Sequence, residues 1–381
     1  MKLRILLADH ATNKGPSYTC FQLARNMRDA GFDVDVLSWS VCQEEKAEWL
    51  RGVVPDPWGR LLGKIWPSRL SFFAEENFLA ETRKGDCVYL WSNVSTKFLV
   101  ALKERGAVIF REKFNGLQAE ARILLENVYD QEGLPFPSIL TIDAVRREQQ
   151  QLALVDAIFV ANPIAYAGFL KHGISEKKLI MSSYGWDPKR VRVSSFNPPN
   201  NHPFTVLFVG TVNFRKGAHQ LIDAWIASGV TGRLVFAGPI ANEVAVSRKS
   251  AFQRPDIQVL GWVEDISSEF RKADLFAFPT HEEGGPLVTY EAMGAGLPVL
   301  VSPMGAGAIA RDGVDGFVID PFDQSAWVQA IRSLARDTAQ RNRFGLSARE
   351  RANEFTWEKV GNKRRDAILS FLPTIKNGLS N

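Results

Sequence analysis

Short apolar runs alternate with helix-like segments at the start of the chain. Leu3–Ala8 is an apolar run, and the polar segment Ala11–Ser17 that follows it reads as a loop. Tyr18–Ala30 has apolar residues at helical spacing and ends at Gly31, and Val34–Leu37 is a second apolar run. A strand, a helix and another strand in this order predict a βαβ unit, and therefore a parallel sheet.

The same alternation continues through the first half. Apolar runs predict strands at Cys87–Trp91, Val108–Phe110 and Ala157–Ala161, and helical spacing predicts helices at Thr96–Glu104, Gln118–Tyr129 and Ile142–Leu154. The pattern is that of an α/β domain.

A segment rich in proline and asparagine, Asn197–Pro203, interrupts the pattern. Proline removes a backbone donor and biases its neighbour to an extended conformation, so we interpret the segment as an inter-domain linker. The alternation then restarts, with strands at Thr205–Val209, Arg233–Ala237, Ile257–Leu260, Leu275–Ala277, Pro298–Ser302 and Gly316–Ile319, and a helix at Ala218–Ala227. The predicted fold class is α/β, with two Rossmann-like domains whose sheets face a common cleft.

Composition narrows the function classes. The chain has 381 residues with a formal net charge of +4, which is too small for a dedicated nucleic-acid binder and fits anionic ligands or an anionic membrane surface. Cys20, Cys42 and Cys87 are widely spaced, which favours a reducing compartment over a disulfide framework or a zinc site. We therefore predict a cytoplasmic protein, and the absence of a long apolar run predicts no membrane span.

The most informative stretch is His281–Pro298. Gly284 and Gly285 permit close backbone approach, and Pro286 suits the first position of a helix. A helix that begins near Pro286 would direct its amides and its positive dipole end at the cleft, which is a site for a diphosphate.

Two glutamates accompany that helix start. Glu291 lies four residues after Leu287 and on the same helical face, within reach of ribose hydroxyls, and Glu283 lies at the helix opening. The competing interpretation is that both are ordinary surface acids; the glycine–proline turn and the apolar helix favour the binding site.

A second stretch carries two cations. A predicted buried strand ends at Gly210, and the loop after it leads to Arg215 and Lys216 at the start of a helix. Cations at a helix start oppose its dipole, so the placement favours an anion-binding role over a solvated basic pair. Arg215 and Lys216 would neutralise the charge of a departing diphosphate.

Together these segments resemble the family-4 group of retaining GT-B glycosyltransferases, most strongly over about 180–365. The supporting motifs are Ser183–Asp187, Ala273–Pro279, Ala292–Val299, Asp312–Val318 and Phe355–Glu358. The resemblance implies a GT-B fold with a first, acceptor-binding domain at 1–196, a sugar-nucleotide domain at 204–355 and a C-terminal helix, 356–381, that returns to the first domain.

The resemblance also implies an activity. It is the transfer of a sugar, of the hexosyltransferase type, from a nucleoside-diphosphate sugar to a hydroxyl acceptor with retention of anomeric configuration. No cofactor or metal is implied, and the setting would be cell-surface glycan or polysaccharide biosynthesis. The implied partners are the nucleotide-sugar donor and a glycan or lipid-linked acceptor.

Roles carry over by matching motif. Arg215, Lys216 and Glu283 are the implied catalytic residues. The implied donor-binding residues are Gly15, Pro16, Gly210, Trp262, Val263, Gly284, Gly285, Pro286, Leu287 and Glu291. Trp262 and Val263 would hold the nucleobase, and Gly15 and Pro16 would approach the diphosphate.

The chain departs from the family pattern at three positions. Thr211 stands where arginine is frequent, Val108–Lys113 contains no histidine, and the first glycine loop is Gly15-Pro16 instead of Gly-Gly. The alternatives left open are a GT-B sugar-nucleotide epimerase or hydrolase, a pyridoxal-phosphate-dependent phosphorylase of related fold, and a non-catalytic sugar-nucleotide-binding protein.

Two further segments needed interpretation. Asp33-Val34-Asp35 imitates the Asp-x-Asp metal motif, but its position at a strand predicts ordinary flanking residues. The stretch 46–73 interleaves tryptophan and phenylalanine with arginine and lysine, which suits a membrane interface, so we predict peripheral contact with the inner face of a membrane. An ordinary packed excursion is the alternative for this stretch.

Overall fold

The computed structural model describes residues 2–42, 47–137, 140–191 and 202–378, without the side chains of 374–378. Within these ranges the chain forms one parallel sheet in each half, and helices cover both sheets. None of the described helices combines the length and the apolar character that crossing a membrane requires.

The first sheet has seven strands in the order β3-β2-β1-β4-β5-β6-β7. Its strands are β1 (Lys2–Ala11), β2 (Asp33–Val41), β3 (Leu50–Gly52), β4 (Cys87–Leu90), β5 (Val108–Lys113), β6 (Ala157–Val160) and β7 (Leu179–Met181). All recorded pairings are parallel, and every residue of β4 and β6 is buried. Strands covered on both faces explain why these segments read as continuous apolar runs.

Seven α-helices belong to the described part of the first half. They are α1 (Gly15–Asp29), α2 (Trp58–Ile65), α3 (Pro67–Glu81), α4 (Thr96–Glu104), α5 (Gln118–Gln131), α6 (Ile142–Leu154) and α7 (Pro163–Lys171).

The second sheet has six strands in the order β10-β9-β8-β11-β12-β13. The strands are β8 (Thr205–Val209), β9 (Arg233–Ala237), β10 (Ile257–Gly261), β11 (Leu275–Phe278), β12 (Val299–Val301) and β13 (Gly316–Val318). The helices are α8 (Ala218–Ser228), α9 (Asn242–Ser247), α10 (Ile266–Lys272), α11 (Leu287–Gly294), α12 (Pro303–Ala306), α13 (Gln324–Arg336) and α14 (Thr338–Ala352). In both sheets the chain adds strands first on one side of the first strand and then on its other side, which is the doubly wound order.

The last helix, α15 (Trp357–Gly378), packs against α1 of the first half. Trp357 Nε1 donates to the hydroxyl of Tyr18 over 3.2 Å. Arg364 of the same helix reaches the buried carboxylate of Glu112 on β5. Helix α15 thus packs on the half of the molecule that contains α1 and β5.

The predicted two-domain α/β fold is confirmed, and several elements, among them α4, α6, β8 and β9, have the predicted bounds. Most other predicted bounds differ from the structure by one to four residues, and two of these differences have a clear physical reason. Helix α1 begins at Gly15 instead of Tyr18, because Pro16 fits the first helical turn, where no backbone donor is needed. Strand β5 continues past Phe110 to Lys113, because Glu112 and Lys113 are paired with Arg364 and Glu148 inside the protein.

The predicted linker, Asn197–Pro203, falls largely on residues 192–201, which lie outside the described residues. The domain boundaries at 196 and 204 border the same segment and stay predictions.

Candidate functional site

The two sheets reverse their strand order at equivalent points. In the first sheet the point lies between β1 and β4, and in the second between β8 and β11. Pro16 follows β1 in the first turn of α1, and Arg215 and Glu283 lie in the loops after β8 and β11. Ligands of doubly wound folds bind outside the carboxyl ends of the strands at such points.

A cavity of about 470 Å³ lies where the two halves meet at these loops. Most of its lining belongs to the first half, including Asp9, Pro16, Trp91 and Lys113, and the second half contributes Arg215 and Glu282. The structure therefore brings the predicted residues Pro16 and Arg215 to one cavity.

Glu282 connects the two halves at the edge of this cavity. Its Oε2 accepts a hydrogen bond from Arg215 Nη1 over 2.8 Å, and its Oε1 accepts one from the backbone N–H of Gly116 over 3.0 Å. The carboxylate is buried. A buried carboxylate of the second half is thus satisfied by a cation on one side and a first-half amide on the other.

Lys216 lies in a different environment from Arg215. Its ammonium is paired with the carboxylate of Glu283 and lies over the ring of Phe278, 5.4 Å from the ring centroid. Burial lowers the pKa of Lys216 well below its usual value; the neighbouring Arg215 adds to the decrease and Glu282 opposes it. An anion arriving beside this lysine would raise its pKa again.

The glycine pair contacts the first half directly. A Cβ at Gly284 would overlap the backbone oxygen of Phe114, and a Cβ at Gly285 would overlap the ring of Tyr184. The glycines were predicted to permit close backbone approach, and the groups that approach them here belong to the first half. Pro286 precedes helix α11 as its N-cap residue instead of occupying its first turn, so the helix begins at Leu287.

Glu291 lies on α11 beside Arg190. Its Oε1 is 4.0 Å from Arg190 Nε, and the Arg190 guanidinium lies over the ring of Tyr18, 4.5 Å from the centroid. Burial raises the pKa of Glu291, and Arg190 opposes the rise. A hydrogen bond from a ribose hydroxyl would favour the ionised form of this carboxylate.

The remaining predicted residues lie around the same meeting point. Trp262 is 69% exposed, and Lys14 of the first half lies 5.0 Å from its ring centroid. Val263 follows it and packs on the core. Gly15, with a φ of +55°, opens α1 next to Lys14. Gly210 directly follows β8, and its N–H donates to the backbone oxygen of Ala237.

Sequence reasoning missed four residues that join the halves or support the predicted ones: Lys14, Asn162, Arg190 and Glu282. Asn162 Nδ2 donates to the backbone oxygen of Met304 over 2.9 Å. Lys14 and Glu282 adjoin the predicted residues Gly15 and Glu283, and a charged side chain beside a glycine loop or beside another acid was the available signal. Arg190 follows the motif Ser183–Asp187 by three residues. Asn162 gave no signal beyond its place after an apolar run.

The second aspartate of Asp33-Val34-Asp35 pairs with a neighbouring strand. Asp35 Oδ2 is 3.0 Å from Arg51 Nη2, and Asp35 accepts a second hydrogen bond from Arg51 Nε over 3.4 Å. Asp35 therefore serves an ion pair between β2 and β3.

Residues 203–337 match the family model described as glycosyl transferases group 1. The capsular polysaccharide biosynthesis glycosyltransferase CapM of Staphylococcus aureus is 26% identical over 234 residues, which is 54% of this chain and 61% of CapM. A D-inositol 3-phosphate glycosyltransferase of Corynebacterium kroppenstedtii is 36% identical over 172 residues, 41% of this chain and 38% of that one. The chain thus matches less than two thirds of the length of either relative.

Among solved structures, HepE of Anabaena in complex with UDP and glucose is similar over 97% of this chain and 100% of its own, with a TM-score of 0.69 and 17% identity. The two Rossmann-like halves are those of the GT-B fold, as predicted. The predicted likeness to glycosyltransferases is confirmed for the second half of the chain by the family match. The roles of the individual site residues stay predictions.

Proposed function

We propose that this protein is a retaining glycosyltransferase of family 4. It transfers a sugar, of the hexosyltransferase type, from a nucleoside-diphosphate sugar to a hydroxyl of a glycan or lipid-linked acceptor. We place it in cell-surface polysaccharide synthesis. The second half holds the donor and the first half holds the acceptor.

The observation that carries this proposal is the arrangement around Arg215 and Lys216. Both cations follow β8 at the switch point of the second sheet, and each is paired with a glutamate of the loop after β11. A bound donor diphosphate would replace Glu282 and Glu283 as the ion-pair partner of these cations. The exchange supplies positive charge where negative charge develops, and it needs no metal ion.

In the proposed reaction the bond between the anomeric carbon and the diphosphate oxygen breaks, and a bond from that carbon to the acceptor oxygen forms on the same face. The proton of the acceptor hydroxyl passes to the departing diphosphate. Arg215 and Lys216 stabilise the leaving group, and the two halves hold the acceptor hydroxyl beside the departing diphosphate.

The first experiment incubates the protein with UDP-, GDP-, ADP- and dTDP-sugars and follows thermal unfolding and product formation. UDP-sugars come first, because the similar HepE structure contains UDP and glucose. The proposal expects one donor to raise the melting temperature and to give a product of retained configuration only when an acceptor is present. Sugar release without acceptor would indicate a hydrolase, and binding without turnover would indicate a non-catalytic protein.

The second experiment compares Lys216→Ala with Lys249→Ala, an exposed lysine of the same half. We expect Lys216→Ala to lower kcat/KM about 100-fold or more, in the range seen when one stabilising donor is removed, and Lys249→Ala to have no effect. Equal activity of the two variants would refute the assignment of Lys216.

We also propose peripheral membrane contact through α2 and the start of α3. Trp58 and Ile65 are each 64% exposed, and Trp66, Phe72 and Phe73 are exposed beside them. Arg60, Lys64 and Arg69 are exposed on the same segment, and residues 57–74 contain no aspartate or glutamate. Exposed aromatic side chains with cations fit the headgroup region of an anionic bilayer. Residue 46, at the start of the predicted stretch 46–73, lies outside the described residues.

Sedimentation with vesicles tests this contact. Vesicles of 70% phosphatidylcholine and 30% phosphatidylglycerol should bind the protein at low salt, and vesicles of phosphatidylcholine alone should bind it less. Ile65→Ser should weaken binding, whereas Leu346→Ser, which alters an equally exposed leucine of the second half, should not. Equal loss in both variants, or no binding at all, would remove the membrane from the proposal.

A further inference from the structure

A second cavity of about 290 Å³ opens beside the cleft, and first-half residues alone line it. We call it the polar chamber. It shares Asn93, Arg111, Lys113 and Gln118 with the cavity that contains Arg215 and Glu282. The polar chamber therefore adjoins the site proposed for the reaction, on the side away from the donor half.

The charges that line the polar chamber do not cancel. Its ionisable residues are Arg111, Lys113, Arg147 and Glu148. Both oxygens of Glu148 are engaged, one by the ammonium of Lys113 and the other by the backbone N–H of Gln118 over 2.7 Å. This carboxylate is thus committed to Lys113 and to the start of α5, and it leaves the two arginines uncompensated.

Arg111 is the unusual member of the set. It is only 7% exposed, and its recorded side-chain hydrogen bond runs from Nη2 to Asn93 Oδ1 over 3.2 Å. Its Nη1 is buried and has no hydrogen-bond partner among the described residues. Burial lowers the pKa of Arg111 to about 10, and Glu148 opposes the decrease. A buried guanidinium without a carboxylate is costly unless an anion completes its environment.

A second buried polar group faces the same space. Gln118 Oε1 has no partner among the described residues. A half-turn of the amide, which leaves the side-chain shape unchanged, presents its NH2 group to an anion instead. Arg147, exposed on α6 at the rim, adds a further cation.

We infer that the polar chamber is a subsite for an anionic group of the acceptor, a carboxylate or a phosphate, with Arg111 as its principal ligand and Arg147 at its entrance. The inference rests on the proposed function, since it names the class of acceptor. A planar guanidinium donates two parallel hydrogen bonds to either anion. The position on the first half separates this subsite from the diphosphate clamp of Arg215 and Lys216.

The test measures binding of three probes in phosphate-free buffer: glucuronate, inorganic phosphate and glucose. Wild-type protein should bind the two anions, with a melting temperature that rises with their concentration, and should not respond to glucose. Arg111→Gln should weaken anion binding about tenfold or more. Arg147→Gln, a change at an exposed residue, should weaken it less, and Arg146→Gln, a neighbour on α6 that does not line the polar chamber, should not change it.

Two results would overturn the inference. Anion binding that survives Arg111→Gln and disappears in Arg215→Gln would place the anion at the diphosphate clamp alone. A lower melting temperature of Arg111→Gln without anions, together with an unchanged anion response, would make Arg111 a structural residue. If Arg111 is instead the ligand of a subsite, Arg111→Gln without anions should have an equal or higher melting temperature, because the variant removes an uncompensated buried cation. A response to only one of the two anions shows whether the anionic group of the acceptor is a carboxylate or a phosphate.

Transfer assays separate this inference from the proposed function. With an active donor, a glucuronide acceptor should react at least tenfold faster than the matched glucoside in wild type, and the preference should vanish in Arg111→Gln. Equal rates overturn the inference and leave the proposed function intact. Absence of transfer from every donor instead overturns the proposed function, and the acceptor assignment with it, even where Arg111-dependent anion binding is measured.

Discussion

Arg364 of the last helix donates from Nη1 to Oε2 of Glu112 on β5 over 2.6 Å, and both side chains are almost fully buried. The hydroxyl of Tyr184 donates to the other oxygen of Glu112 over 2.9 Å, and the hydroxyl of Tyr89 contacts the same group. The pair therefore ties the end of the chain to the interior of the first sheet, with every oxygen of the carboxylate engaged.

Glu112→Gln should lower the free energy of unfolding by about 3–5 kcal/mol, because it leaves a buried guanidinium without its counter-charge. Asp366→Asn is the control: Asp366 pairs with Arg365 on the same helix, but Asp366 is 63% exposed, so its removal should cost less than about 1 kcal/mol. Urea unfolding measures both values. Similar losses in the two variants would show that burial does not govern this pair.

The pair also shows what sequence reasoning could not reach. The partners are 252 residues apart, and a charged residue after the apolar run Val108–Phe110 favoured ending the strand there. The α/β fold was predictable because parallel strands buried on both faces produce continuous apolar runs. A buried charge breaks that rule, and only its distant partner explains it.

Of the candidate site, the parts that depend on local sequence were predictable, and the contacts between the two halves were not. Glycine and proline marked the turn before α11, and the position of Arg215 and Lys216 after a buried strand placed them at the switch point. The contacts of Glu282 with Gly116, and of Gly284 with Phe114, depend on how the two halves meet. No local pattern encodes that arrangement, so Glu282 was missed although it adjoins Glu283.

Two buried histidines should make stability depend on pH. His219 and His281 lie side by side, with ring centroids 6.1 Å apart, and burial lowers the pKa of His219 to about 3 and that of His281 to about 4. In the unfolded chain both titrate near pH 6.5. Between pH 6.5 and about 4 the unfolded state therefore binds more protons, so stability should be flat above pH 6.5 and fall as the pH drops, by at most about 1.4 kcal/mol per pH unit for each histidine.

Thermal unfolding from pH 8 to pH 4.5 checks this expectation. The double variant His219→Gln, His281→Gln should have a shallower slope between pH 6.5 and 4.5, whatever its stability at neutral pH. An unchanged slope would assign the acid sensitivity to other groups.

Trp262 should contribute to donor affinity. Its exposed ring beside Lys14 is available for stacking on a nucleobase, and such stacking is worth about 1–3 kcal/mol per base. Trp262→Ala should therefore raise the dissociation constant of the nucleoside diphosphate about 5- to 100-fold, as measured by calorimetry. Trp58→Ala removes a comparably exposed tryptophan on α2 that does not line the cavity, and it should leave that constant unchanged. A normal dissociation constant in Trp262→Ala would move the nucleobase elsewhere.

Closure of the two halves should depend on Glu132 and Arg248. Glu132, at the end of α5, accepts two hydrogen bonds from Arg248 Nη1 and Nη2 over 2.7 and 2.8 Å, and Arg248 also binds Asp223 of its own half. Because the pair is bidentate and each side chain is less than one fifth exposed, Glu132→Gln should lower the free energy of unfolding by about 1–3 kcal/mol. It should also shift the protein toward open forms, with a larger radius of gyration in solution scattering and a higher donor KM, since closing then lacks this contact. Asp223→Asn removes a partner of the same arginine without touching the junction, and should leave the radius of gyration as it is in wild type. If both variants expand equally, the effect belongs to Arg248 itself and the contact across the junction is not what holds the halves together.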